Sequence, residues 1–215
     1  MEKQKNYSHI IWDWNGTLFD DVDWCIQVVN QMLSKRKIKT LDGILDYHKA
    51  FCFPIINYYK NVGFDFSTQS FEELAKEYIS IYHSDKTGNC KLHENVEQVL
   101  KSVKELGIKQ VILSASEKSN LLSQMNDFKI CQYFEEILGL SDVYAKSKID
   151  VGLDYISREK VRDVILIGDT EHDYEVAKAL NAECIIVANG HQSKAKLKSL
   201  GVPVLDDVLH VLEFV

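Results

Sequence analysis

The stretch Val164-Ile165-Leu166-Ile167-Gly168-Asp169-Thr170-Glu171-His172-Asp173 decides the reading of this chain. Four consecutive apolar residues make a run of strand length, suited to a strand buried on both faces. The run ends in Gly168-Asp169, and a helix is expected from about 172 to 180, stopping at Asn181. The pattern recurs. Ile10-Ile11-Trp12, within a first strand over Ser8–Trp14, ends in Asp13, and Val111-Ile112-Leu113 ends in Ser114. The run ending in Ser114 spans Gln110–Leu113, and Cys184–Val187 and a weaker run near Phe134–Leu138 supply further strands. Between them, Val96, Val99, Leu100, Val103 and Leu106 recur at helical spacing over 94–106, and Gly107 is the expected stop. Short apolar strands alternating with helices predict an α/β fold with a parallel sheet.

The segment 20–88 is different, with helical patterns and no convincing strand. Val22, Cys25, Ile26, Val29, Met32 and Leu33 trace one helical face. Pro54 can open a short helix that Gly63 closes. Ser70-Phe71-Glu72-Glu73 is a capping box ahead of Leu74, Ala75, Tyr78 and Tyr82. The division predicted is a core of residues 1–19 and 89–215 with an all-helical insert at 20–88, Asp85–Asn89 forming the return linker.

The 215 residues exceed one minimal domain and fall short of two full ones, which suits a core carrying an insert. Hydrophobic residues are 46% and charged residues 27%, an ordinary globular balance that argues against disorder. A net charge of −7 offers no basic field for nucleic acid or an anionic membrane. No apolar run approaches a membrane span, and the N-terminus lacks the apolar stretch of a signal peptide. Five widely spaced cysteines with no C-x-x-C pair read as reduced, mostly buried thiols. A cytoplasmic protein is expected. Its oligomeric state is not legible.

In an open parallel sheet, ligands bind beyond the carboxyl ends of the strands. Asp13, Ser114 and Asp169 would share that edge. Asp173 lies four residues after Asp169, which would put both carboxylates on one face at a helix start. Three carboxylates with no competing histidine or cysteine cluster form a hard-oxygen environment suited to Mg²⁺. His172 reads as a surface residue between them. Asp20 and Asp21 read first as helix caps, and His191 as a loop residue capping a helix at 193–200. Phe51-Cys52-Phe53-Pro54 is an apolar turn that either faces a substrate or packs between helices of the insert.

Asp13-Trp14-Asn15-Gly16-Thr17-Leu18 after a hydrophobic strand resembles the first motif of the haloacid dehalogenase superfamily. Ser114, a lysine near 146–148 and Gly168-Asp169-Thr170-Glu171-His172-Asp173 resemble its other three motifs in order. The insert is similar to the cap of the phosphoglycolate phosphatase-like branch, and the resemblance runs over about 8–213. It implies a Rossmann-like core, with helices on both faces of the sheet, beneath a small helical cap. It also implies a phosphatase that acts on a small phosphorylated metabolite through an aspartyl-phosphate. Asp13 would be the nucleophile; Asp13, the Asn15 carbonyl, Asp169 and Asp173 would hold Mg²⁺. Thr17, Ser114 and a lysine would bind the transferring oxygens. Lys148 is preferred to Lys146, because Val151–Ile156 then fits the helix that follows this motif.

One position departs. Two residues after the nucleophile, the family's phosphatases carry a second aspartate that protonates the leaving oxygen and then activates water. Here it is Asn15, whose amide can hydrogen-bond but exchanges no proton near neutral pH. Losing such help costs on the order of 10²–10⁴ in rate. The alternatives are a low-activity or non-catalytic phosphate-ligand sensor, or another reaction of the superfamily.

Overall fold

The computed structural model describes residues 6–84, 90–140 and 147–215. The predicted linker at 85–89 and the candidate Lys146 lie outside them. In chain order the elements are β1 (His9–Trp12), β2 (Phe19–Asp20), α1 (Val22–Lys35), α2 (Ile44–Ala50), α3 (Ile55–Asn61), α4 (Phe71–Tyr82), β3 (Lys91–Leu92), α5 (Val96–Glu105), β4 (Lys109–Glu117), α6 (Lys118–Asp127), β5 (Glu136–Leu140), α7 (Lys148–Glu159), β6 (Val164–Gly168), α8 (Glu171–Ala179), β7 (Glu183–Val187), α9 (Lys194–Leu197) and β8 (Val204–Leu205).

Six strands form one parallel sheet in the order β5-β4-β1-β6-β7-β8. The period of two along each strand divides its side chains between two cores. Ile10, Trp12, Ile112, Ile165 and Ile167 face Val99, Leu100 and Val103 of α5 and Leu121 and Met125 of α6. Ile11, Val111, Leu113, Leu166 and Ile186 face the other way, onto Tyr155 of α7, Val176 and Ala177 of α8 and Leu197 of α9. Helices therefore cover both faces, as a sheet with apolar residues on both sides requires.

Helices α1–α4 enclose a third apolar cluster of their own, built on Val28, Val29, Met32, Leu33, Tyr47, Tyr58 and Leu74. Ser70 closes the predicted capping box with Glu73 at the start of α4. Two short features escape the hydrophobic pattern. The two-residue strands β2 and β3 pair antiparallel where the chain leaves for the helical segment and returns. Helix α2 has only Tyr47 and Ala50 buried, too few to mark a face. Two further readings change. Ser114 does not end its strand: β4 continues to Glu117 through an irregularity in its pairing with β5. None of the cysteines is joined in a disulfide, but only Cys25 and Cys184 are buried.

Candidate functional site

β1 lies between β4 and β6, with Trp12 level with Ile112 and Ile167. That register brings Asp13, the Ser114 region and Gly168-Asp169 to adjacent points on one edge. Asp169 and Thr170 lie ahead of α8, and Thr170 caps that helix in a capping box with Asp173. Asp173 Oδ2 accepts the backbone N–H groups of Asp169 at 3.2 Å and Thr170 at 3.0 Å. The helix start therefore holds this carboxylate rigidly, pointing its other oxygen inward. Gly168 is needed at this joint, since a Cβ there would lie 2.3 Å from Asp173 Cγ.

Lys148 is the first residue of α7, which Ser147 caps with Asp150. Its ammonium donates to Asp13 Oδ1 and, at 2.6 Å, to Asp173 Oδ1. The Thr17 hydroxyl lies 3.0 Å from Asp13 Oδ2 and 3.3 Å from Asp169 Oδ1, donating to one at a time. Ser114 is buried in β4 beside β1, its Oγ accepting the Ser116 N–H at 3.0 Å. Of the residues singled out from sequence, Asp13, Thr17, Lys148, Asp169 and Asp173 are thus joined directly, and Ser114 stands on the neighbouring strand.

Burial governs the electrostatics. It raises Asp13 to about 6 against the pull of Lys148, with repulsion from Asp173 adding to the rise. It raises Asp169 to about 8 against the pull of the nearby His191 charge, with repulsion from Asp173 and Asp13 adding to the rise. For Asp173, burial is outweighed by Lys148 and the Thr170 hydroxyl, so it titrates below the usual carboxylate range. Burial also opposes the charge of Lys148, but Asp13 and Asp173 overcome it and hold the ammonium protonated. Asp13, Asp169 and Asp173 bring ligand oxygens within 4.8 Å of one another. Hard oxygen donors and a surplus of buried negative charge fit a divalent cation such as Mg²⁺.

A second grouping was not legible in the sequence. Asp21 stands at the N-cap position of α1 but makes no capping bond. Its Oδ2 accepts instead from Asn15 Nδ2 at 2.8 Å and the Tyr82 hydroxyl at 2.6 Å. His191 Nε2 lies 3.4 Å from Asp21 Oδ1, and its ring Nδ1 is 2.8 Å from the Tyr47 hydroxyl. The backbone N–H of His191 donates to Asp169 Oδ2 at 2.6 Å. Capping of α9 falls to Ser193, so His191 is a buried member of the site. Burial would lower its pKa, but Asp21, joined by Asp169 and Asp13, more than offsets this and raises it to about 9.

Cys25 joins Asp21 and His191 in placing ligand atoms within 4.8 Å of one another. Burial and Asp21 push this thiol well above its ordinary value, and it donates to Asp21 Oδ2 at 3.5 Å. In the structure the three side chains form a hydrogen-bond network centred on Asp21.

The turn at 51–54 meets the core. Phe51 stacks on His191 with centroids 5.2 Å apart, and Phe53 stacks on His172 at 4.8 Å. His172 is therefore half-covered by the helical segment rather than free on the surface. The signals that could have located this interface were the aromatic pair at 51 and 53 and the histidine that follows the strand over 184–187.

The family model for haloacid dehalogenase-like hydrolases matches residues 10–187, from β1 to β7. The chain belongs to this family. A Caldanaerobacter subterraneus protein, named provisionally as pyrophosphatase PpaX, is 24% identical over 188 residues, covering 83% of this chain and 80% of its own. Among solved structures, the haloacid dehalogenase-like family protein SP0104 of Streptococcus pneumoniae superposes with a TM-score of 0.83 at 18% identity. It covers 97% of this hydrolase and 98% of that chain. A predicted phosphoglycolate phosphatase from Haemophilus somnus matches with a TM-score of 0.79 at 15% identity, over 96% and 97% of the two chains. At such identities the likeness is one of fold. The hydrolase carries the family's α/β core with its helical subdomain, and among the described residues no helix is long and apolar enough to cross a membrane.

Proposed function

We propose that this hydrolase is a Mg²⁺-dependent phosphatase of small phosphorylated metabolites, working in the cytoplasm through an aspartyl-phosphate on Asp13. The segment 20–88 would act as the cap, closing over a core formed by 1–19 and 89–215. The observation that carries this reading is the position of Asp13, buried at a strand end in contact with Lys148 and Thr17 and facing Asp169 and Asp173. The relative named as a pyrophosphatase supports phosphoryl chemistry in general.

Asp13 attacks phosphorus with one carboxylate oxygen, and the bond from phosphorus to the leaving oxygen breaks. Water then attacks the phospho-aspartate and returns the carboxylate and free phosphate. Lys148, Thr17 and Ser114 bind the transferring oxygens with donors already in place, which stabilises charge where it develops. Asp13, the Asn15 carbonyl, Asp169 and Asp173 would hold Mg²⁺, whose charge offsets the repulsion between two anionic reactants. The docked cap aromatics exclude water. Asn15 can orient a leaving group or a water but supplies no proton, so substrates with good leaving groups fare best.

The test is phosphate release over a panel of phosphate esters and acyl phosphates, with and without Mg²⁺, on the wild type and Asp13→Asn. Mg²⁺-dependent release that vanishes in the variant is expected. Release that survives the loss of Asp13 would overturn the nucleophile assignment. Asn15 favours one further reading, a sensor that binds phosphorylated ligands without turnover; Mg²⁺-dependent ligand binding with no release from any substrate would establish it.

A further inference from the structure

Asp21 is a buried carboxylate for which the chemistry above has no task. Its partners come from four separate places: Asn15 after β1, Cys25 in α1, Tyr82 at the end of α4 and His191 after β7. Burial opposes its ionisation, yet the His191 charge and the bonds from His191, Tyr82 and Asn15 prevail and keep it a carboxylate. Asn15 is equally committed. Its Nδ2 lies 2.8 Å from Asp21 Oδ2 and 3.0 Å from the Tyr82 hydroxyl oxygen, so close together that one N–H faces both, and its own oxygen accepts from Ser116 at 2.9 Å. Tyr82 in turn donates to Asp21 at 2.6 Å, closing a ring of three hydrogen bonds.

The ring is directional. Position 15 must donate to this pair, and an ionised carboxylate cannot donate. Asn15→Asp would remove both bonds and set two carboxylates against each other at the present 2.8 Å contact. The amide at 15 and the acid at 21 therefore specify each other. Because Tyr82 belongs to the helical segment, docking of that segment also sets the orientation of the Asn15 amide.

We propose that Asn15 and Asp21 form one amide–carboxylate unit. In it, Asp21 is the positioning residue that holds the Asn15 side chain at the site and, through Tyr82, ties its orientation to cap docking. The inference rests on the assignment of Asp13 as nucleophile. It follows that the substitution which would give Asn15 the family's usual acid does not by itself make a faster enzyme. The reciprocal exchange Asn15→Asp with Asp21→Asn preserves a donor facing an acceptor.

The test compares the wild type, Asn15→Asp, Asp21→Asn, the double variant and Tyr82→Phe, with Asp20→Asn as a control beside the unit. Each is assayed for kcat and KM on an alkyl and an aryl phosphate with Mg²⁺, and for melting temperature without substrate. Each single change in the unit should lower kcat on the alkyl phosphate with little change in KM. The double variant should exceed the better of its two singles by roughly tenfold, and its melting loss should be well below the sum of theirs. Should Asp21→Asn fail to fold, Tyr82→Phe keeps the buried charge and must still lower kcat without raising KM.

Asn15→Asp alone raising alkyl-phosphate turnover roughly tenfold would overturn the proposal, as would additive kinetic effects in the double variant. Non-additive melting with additive kinetics would reduce Asp21 to a structural role and also overturn it. If the wild type releases phosphate from nothing on the panel, the phosphatase reading fails separately. The pairing is then judged on the melting cycle, where additive losses sink it.

Discussion

Asp13, Asp169 and Asp173 share a small buried volume with Lys148, so each residue's state depends on the others. Both Asp13, raised to about 6, and Asp169, raised to about 8, must lose their protons to hold a cation. Mg²⁺ affinity should therefore climb as pH rises from 5.5 to 8.5, and calorimetric titration across that range checks it. Asp169→Asn should weaken the metal strongly at every pH; unchanged affinity would remove Asp169 from the site. Lys148→Ala leaves two buried carboxylates without their cation. Breaking a buried pair this way costs about 3 to 5 kcal/mol, to be read from urea unfolding without Mg²⁺. A loss well under that would mean water or a counter-ion reaches the site.

At the scale of elements, the site is made by turns that bring backbone unusually close. Gly190 has the Asp169 carboxylate 2.1 Å from where a Cβ would stand, and Gly168 has Asp173 at 2.3 Å. Gly43, at the start of α2, has a φ of +75° but nothing within 4 Å. The two kinds of glycine should separate on substitution to alanine. Gly43→Ala costs only its backbone strain, about 1 to 3 kcal/mol at a φ of +75° with ψ −163°, and leaves the metal site untouched. Gly168→Ala has no room and must move the first turn of α8, costing about 1 to 3 kcal/mol and displacing Asp173 from Lys148. Denaturation midpoints together with Mg²⁺ titration of both variants distinguish them; equal stability with intact metal binding in Gly168→Ala would contradict the close approach. The pattern of apolar strand, acid and helix was enough to locate β1, β6 and α8. Helix α2 and the β2–β3 ribbon stayed hidden because neither buries a full apolar face.

Across the whole molecule, the raised groups make stability depend on pH. Asp13, Asp169 and His191, at about 6, 8 and 9, all titrate above their ordinary values. In each case the fold keeps a proton that the unfolded chain has already released. Their contribution is complete below the unfolded pKa and is lost as pH rises through the folded one. The metal-free protein should therefore melt at progressively lower temperature between pH 6 and 9. With Mg²⁺ the cation replaces the protons on the carboxylates, so its stabilising shift should grow over the same interval. Melting curves at several pH values, with and without Mg²⁺, test both halves; a metal-free protein that gains stability toward pH 9 would refute the assignment of these shifts.

What the sequence determined by itself was whatever rests on local order. The two-residue period of the strands sets their two-sided burial, the capping boxes set helix starts, and the acids after β1 and β6 mark one sheet edge. Asp13, Asp169 and Asp173 were legible because backbone direction carries them to that edge whatever the details of packing. Tertiary structure alone decided the partners. Lys148 comes 135 residues after Asp13 to meet it, and His191 lies 144 residues from Tyr47. Asp21 reads locally as a helix cap, since an acid before an amphipathic run ordinarily is one. It serves elsewhere because Asn15, Tyr82 and His191 offer it donors from distant segments, and a buried carboxylate goes where its charge is best satisfied.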